Sequence, residues 1–246
     1  EEIFFPAELL YCKKSKLAQL GCIVDKKILF PYTYPYTSST TKVLRENFKD
    51  LYNETKKIIK IHDKDLIIDI GSNDGNLLSN FIKNHKVLGI TPEKIGKLAI
   101  KKGIPTIIDY FDNKSSKKIV KKYGKAKVIT ATNVFAHIDN VNLIMSCILK
   151  TLERDGVFVS ESHYLLPLIK DVQYDTIYHE HLRYYSLDSL KFLFKKFNLE
   201  IIHTKEIPTH GGSIRVYAAR KGIFKISTSV KKQLLINELE TVRRGV

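Results

Sequence analysis

The sequence predicts a layered α/β fold: a seven-stranded, mostly parallel sheet with one reversed edge strand, helices on both faces, and a small irregular N-terminal appendage. Three observations lead there. Apolar runs without polar alternation, such as Leu66–Ile70, read as strands buried on both faces. Five such runs alternate with helical patterns. A closing pair, 199–207 and 213–220, is joined by Pro208-Thr209-His210-Gly211-Gly212 and reads as a hairpin at the end of the sheet.

The elements follow in order. Residues 1–40 are Tyr- and Pro-rich and read as irregular, with Pro31-Tyr32-Thr33-Tyr34-Pro35-Tyr36 as a loop that packs on the domain or covers a site. Val43, Leu44, Phe48, Leu51, Tyr52 and Ile58 recur near helical spacing and place a helix over 41–61. After the strand at Leu66–Ile70 and its glycine turn, Leu77, Leu78, Phe81 and Ile82 share a helical face. Strands follow at 86–90, 104–108, 126–130 and 157–160, the last entered through a tight Asp155-Gly156 turn. Helices read at 93–102, 141–152 and 187–197, and a charged helical segment at 227–244. The domain reading is thus 1–40, 41–226 and 227–246.

With 246 residues, 43% of them hydrophobic, the chain can bury a full core. It has no apolar run of membrane-spanning length, and no signal peptide is read. Cys12, Cys22 and Cys147 make no disulfide framework, which points to a reducing, cytoplasmic setting. The net charge is +15. Its bland reading is a solvated lysine surface, and its sharper one is an anionic substrate. Aromatics are not interleaved with the basic residues in one stripe, which argues against nucleic acid as partner. Cys12-Lys13-Lys14-Ser15 has half a zinc knuckle's spacing with Ser in place of the second thiol, so no metal is expected. The chain does not begin with Met and ends on Arg243-Arg244-Gly245-Val246, which reads as part of a longer protein.

The stretch Asp69-Ile70-Gly71-Ser72-Asn73-Asp74-Gly75 organises the chemistry. Strand, glycine loop, helix is the opening of a nucleotide-binding unit, but the spacing is not GxGxxG. Gly71 lets the backbone turn, and Gly75 is expected to let a ligand lie against the main chain. Asp74 would repel a diphosphate and attract a cation. These features fit S-adenosylmethionine (SAM), whose sulfonium is positive, better than NAD. At the next strand end Thr91 stands where an acid often holds a ribose, with Glu93 as a displaced substitute. Asp109 and Tyr110 lie where adenine would be bonded and covered. Asn133, Phe135 and His137 follow the fourth strand.

Tyr178-His179-Glu180-His181 is the densest cluster of proton-handling groups. If extended, Tyr178 and Glu180 point away from His179 and His181; if helical, Tyr178 and His181 share a face. Either arrangement allows a His to act as a base near neutral pH. No third ligand accompanies the two histidines, so a metal is not read here.

Four blocks together carry a family resemblance: Ile68 to Gly75, Thr132 to His137, Asp175 to His181, and Pro208 to Tyr217. The chain resembles the SAM-dependent C-methyltransferases of nucleotide-linked deoxysugars. The resemblance implies a class I, Rossmann-like methyltransferase domain with SAM as cofactor. It also implies an N-terminal zinc module, cut short here with Ser15 at a ligand position, and a C-terminal domain beyond this chain. The implied reaction is alkylation of a carbanion next to a sugar ketone. His181 is the expected base, with Tyr178, Glu180 and His179 orienting it or polarising the substrate. Tyr36, His210, Gly211, Gly212 and Arg215 are the expected substrate contacts. Methylation at O or N of another small molecule, and a degenerate binding module, are the alternatives.

Overall fold

The computed structural model describes residues 3–243, with side chains to residue 239. A hairpin, β1 (Leu9–Cys12) and β2 (Leu17–Leu20), opens the chain and is followed by a short helix, α1 (Lys26–Leu29). The N-terminal region is therefore less irregular than the sequence suggests. β2 pairs with a distant two-residue strand, β8 (Arg183–Tyr184), and makes a small three-stranded sheet. That pairing partner lies far along the chain, so no local signal announced it.

The main domain begins with α2 (Lys42–Ile58), capped by the Thr41 side chain on the Leu44 N–H. The strands β3 (Leu66–Ile70), β4 (Lys86–Thr91) and β5 (Thr106–Ile108) run parallel, with α3 (Gly96–Lys101) between the last two. α4 (Asn113–Tyr123), β6 (Ala126–Thr132), α5 (Val141–Thr151) and β7 (Leu152–His163) complete the parallel part. α6 (Leu165–Lys170) and α7 (Leu187–Lys196) flank β8. β9 (Leu199–Ile207), β10 (Ser213–Arg220) and α8 (Thr228–Arg243) close the chain.

The seven-stranded sheet has the order β5-β4-β3-β6-β7-β10-β9. The one reversed strand is β10, antiparallel to β7 and to β9. It lies inside the rim, between β7 and β9, and its direction follows from the tight connection from β9, which can only bring the chain back antiparallel. Both faces are covered, which is why the strands read as unbroken apolar runs. In β3, Ile67 packs under α2, while Leu66, Ile68 and Ile70 join the opposite core with α5 and α7. In β7, Val157 and Val159 face the first core and Phe158 the second.

Several boundaries differ from expectation. Leu77, Leu78 and Phe81 are buried, but on a turn and a short 3-10 segment at Leu78–Asn80, and Ile82 is partly exposed. α4 occupies a stretch that the apolar pattern does not mark as a helix. Its apolar signal is thin, and a capping box between Asp112 and Ser115 starts it. Asp155-Gly156 makes a bulge within a continuous β7: that strand advances from Leu152 to Val157 while β6 advances from Ala126 to Val128. Residues 244–246 of the last helical segment lie outside the described residues.

α2 is tied to the sheet by buried charge. Arg215, fully buried on β10, donates to Glu161 (2.7 Å), Asp50 (2.8 Å), Glu54 (2.8 Å) and the Asn47 side chain (2.6 Å). Arg215 thus belongs to the framework and not, as expected from sequence, to the substrate surface. Replacing it by Met leaves Glu161, also fully buried, without its counter-charge, and such losses cost about 3–5 kcal/mol. Urea unfolding of Arg215→Met is expected to show a loss of that size, and Glu161→Gln in the same background should recover part of it. Burial alone would push Glu54 up, but bonds from His203, Arg215 and Tyr217 and the Arg215 charge hold it down to about 2. The stability this carboxylate contributes is complete above its ordinary range and is lost as pH falls toward about 2. Glu54→Gln should therefore flatten the acid side of the stability curve over that window.

Candidate active site

A cavity of about 750 Å³ lies at the C-terminal ends of β3, β4, β6 and β7. This is where open α/β sheets place their ligands. Its floor is the turn after β3. Gly71 (φ 73) and Asn73 (φ 50) are left-handed and fold the chain back under the cavity. A Cβ on Gly71 would lie 2.2 Å from the Val134 side chain. Asp69, Gly71, Ser72 and Asn73 all line the cavity. Asp69 is buried, takes a hydrogen bond from Thr130 Oγ1 (2.6 Å), and is pushed by burial up to about 7.

Two residues of the loop do something other than expected. Asp74 is fully buried and does not line the cavity. It accepts from Ser38 Oγ (2.7 Å) and Lys102 Nζ (2.9 Å), so its charge is neutralised within the protein and does not attract a ligand. Gly75 faces α3: a Cβ there would meet Ile104 at 2.6 Å and Ala99 at 2.9 Å. Its smallness serves packing and not a ligand.

The N-terminal strap forms one wall. Asn73 Oδ1 accepts from the Ser38 N–H (2.9 Å) and Asn73 Nδ2 donates to the Tyr36 carbonyl (3.0 Å). Phe30, Tyr34 and Tyr36 then face the cavity. Phe30 stacks on His137 with ring centres 5.6 Å apart, and Tyr34 donates to Glu180 (3.0 Å). Tyr34 belongs to the aromatic loop that the sequence offers as a cover for a site, whereas Phe30, just before that run, carries no sign of its place.

At the β4 end, Thr91 Oγ1 donates to the Glu93 carboxylate, and Glu93 lines the cavity. The displaced acid is thus brought back to the strand end. Tyr110 lines the cavity, whereas the Asp109 carboxylate turns back to the Tyr110 N–H (2.8 Å) and lies outside the lining. After β6, Asn133 (φ 54) and His137 line the cavity. Phe135 does not. It is fully buried among Phe158, Tyr185 and Phe194, so it belongs to the core.

The Tyr178–His181 run is neither strand nor helix. A turn bonds the His181 N–H to the Tyr178 carbonyl (2.9 Å), which brings the two rings to 4.2 Å. Tyr178, Glu180 and His181 line the cavity. His179 points the other way, with Nε2 3.2 Å from the Pro6 carbonyl, and takes no part. His181 is 5% exposed, and its Nδ1 lies 2.8 Å from the Thr176 carbonyl. A carbonyl only accepts, so Nδ1 carries the hydrogen and Nε2 keeps its lone pair. Burial pushes His181 below its ordinary value; the Thr176 bond opposes this and His210 adds to it.

His210 and Gly211 also line the cavity, and Gly212 does not: a Cβ on Gly212 would meet Pro167. His163, at the end of β7, is a lining residue that the sequence left unassigned. Its strand-end position was the available sign. His137, His163 and His210 surround His181, with ring centres 5.1 Å from His137 to His181, 4.3 Å from His163 to His181 and 5.8 Å from His163 to His210. Burial and the neighbouring imidazoles push His137 down to about 3 and His163 to about 4.

The lining carries the carboxylates Glu93, Asp139, Asp175 and Glu180, besides Asp69 whose charge burial disfavours, against the single amine of Lys26, which pairs with Asp139 at 3.5 Å. Such a chamber favours a cationic ligand. The buried Ser72 Oγ and Asn133 Oδ1 lack hydrogen-bond partners among the described residues. A model of the family described as methyltransferase domain matches residues 43–204. The chain belongs to the methyltransferase domain family. SAM is the cofactor of this methyltransferase domain, and the acidic lining, the unpartnered polar atoms and the Gly71 turn fit its charge and polarity.

The chain is 31% identical over 220 residues to the C-methyltransferase NovU of Streptomyces niveus, covering 89% of this chain and 52% of that protein. The chain therefore spans about half the length of that relative. Among solved structures, the magnesium protoporphyrin IX methyltransferase ChlM of Synechocystis PCC 6803, with SAM bound, superposes with a TM-score of 0.57 at 12% identity, over 82% of this chain and 99% of that one. A SAM-dependent methyltransferase from Anabaena variabilis ATCC 29413 superposes with a TM-score of 0.55 at 16% identity, over 74% of this chain and 86% of that one. Both share the fold. No helix among the described residues is long and apolar enough to cross a membrane.

The Gly71→Ala variant should weaken SAM binding about tenfold or more in calorimetry, since a left-handed non-glycine residue costs about 1–3 kcal/mol. Here the Cβ also collides with Val134.

Proposed function

We propose that this domain methylates carbon in a keto-deoxysugar carried on a nucleotide diphosphate, through an enolate that His181 generates. The observation that carries the reading is the pinned tautomer of His181: Nδ1–H held by Thr176, Nε2 unprotonated, in the wall of the same cavity as the Gly71 turn. The relative's name as a C-methyltransferase supports the bond formed. The four sequence blocks support the sugar as acceptor.

The chemistry follows from the side chains. A ketone acidifies the proton on the neighbouring carbon. Nε2 of His181 accepts that proton, and the electron pair moves toward the carbonyl oxygen. Tyr178 is the donor placed to meet the oxyanion; burial and the nearby Glu180 charge hold its phenol above the ordinary value, so it stays protonated. Glu180 fixes Tyr34 and with it the strap. His210, on the same lining, is a second donor through Nδ1, its Nε2 facing the Asn133 amide nitrogen at 3.3 Å. SAM supplies the electrophilic methyl group. The carboxylates of the lining disfavour a diphosphate inside the cavity, so the sugar enters and the nucleotide stays at the mouth. The division into a shortened N-terminal module, a catalytic domain over 41–226 and a helix leading to a further domain belongs to the same reading.

The test is SAM-independent exchange. With a thymidine-diphosphate 4-keto-6-deoxysugar in heavy water, the wild type should exchange the C3 proton. His181→Ala should lower that rate by about 10²–10⁴-fold while SAM binding is kept. Retained exchange in the variant would place the base elsewhere, and O- or N-methylation predicts no exchange at all. A base must be neutral to act, and His181 lies below its ordinary value. The exchange rate should therefore hold as pH drops through the usual imidazole range and fall only below it; a midpoint at the ordinary value or higher would contradict the assignment.

A further inference from the structure

Methylating a carbanion leaves one proton on the enzyme in every cycle. In the function proposed above, on which this inference rests, that proton sits on His181, which is buried. It must leave before the next substrate can be deprotonated. We propose that His163 and His210 are its way out: the His181 imidazolium passes a proton to His163, and His163 passes one to His210, which opens to solvent.

The three rings come from three separate elements. His181 stands on the turn after residues 174–176, His163 at the end of β7, and His210 at the left-handed corner (φ 55) between β9 and β10. Ring centres are 4.3 Å apart at the first step, a tilted ring contact that a turn of the His163 ring would convert into a hydrogen bond, and 5.8 Å at the second, which leaves room for a bridging water. Exposure rises along the series, from buried His181 through half-buried His163 to exposed His210. No hydrogen bond among the described residues fixes the His163 ring, so it can turn between its neighbours. The fourth imidazole leads nowhere: His137 is 5.1 Å from His181 but is covered by Phe30 of the strap.

The balance closes without another reactant. One C–H bond breaks and one N–H bond forms on His181. Each transfer then breaks one N–H bond and forms the next, and the last proton goes to water or buffer. Imidazole suits the task because it accepts on one nitrogen and releases from the other.

The decisive experiment is the SAM-free exchange assay with the same thymidine-diphosphate 4-keto-6-deoxysugar, run at rising concentrations of free imidazole. His163→Ala should exchange more slowly than wild type at low buffer, on the order of tenfold, and recover with saturable dependence on imidazole. Wild type should be indifferent to it. His163→Phe, which fills the gap, should be equally slow and recover little. SAM affinity should be unchanged in both. Wild-type exchange by His163→Ala at low buffer would overturn the relay, as would a defect that no imidazole concentration relieves; either leaves the proposed function standing. A wild-type protein that exchanges no proton would remove the function and the relay together.

Discussion

Asn73 holds a left-handed backbone and uses both ends of its amide on the chain that precedes the domain. Beside it, Asp74 takes the Ser38 hydroxyl and the Lys102 ammonium. Together they fasten residues 36–38 to the exit of the central strand. Every aromatic group that the strap lends to the cavity depends on that fastening: Phe30 over His137, Tyr34 on Glu180, Tyr36 at the rim. The turn that floors the cavity is thus also the anchor of the strap that walls it.

The chamber's electrostatics follow from desolvation. Four imidazoles crowd one region, and burial pushes all four below their ordinary value; neighbouring imidazoles add to this at His137, His163 and His181, while the Glu161 charge opposes it at His210. Neutral histidines beside a row of carboxylates leave a net negative chamber, suited to a cation and able to accept protons. The positive charge of the protein, +15 overall, is carried elsewhere on its surface.

The sheet was legible because its strands are buried on both faces and so read as apolar runs. The floor of the cavity was legible at Gly71 because a glycine after a strand has a direct backbone meaning. Side-chain direction was not. Asp74, Gly75, Phe135, His179, Gly212 and Arg215 sit in the right stretches, yet each turns toward core, framework or neighbouring loop. Where a side chain points is fixed by contacts with distant segments, such as Ser38 for Asp74 and Glu161 for Arg215. His163 went unassigned for the same reason: its neighbours on the chain carry no sign of His181, which reaches it only through the fold. α4 was hidden by a lysine-rich face, although its capping box was present in the sequence.

The position of β10 between β7 and β9 also governs how the sheet is assembled. β9 leaves the ribosome first but has no place in the sheet until β10 has paired with β7, more than forty residues upstream. Until then β7 offers an open row of backbone donors and acceptors to any passing strand. Late, long-range pairing of this kind is slow to nucleate. A chain released before Arg220 would therefore carry a complete parallel core with an unprotected edge, a species inclined to self-associate before it can finish folding.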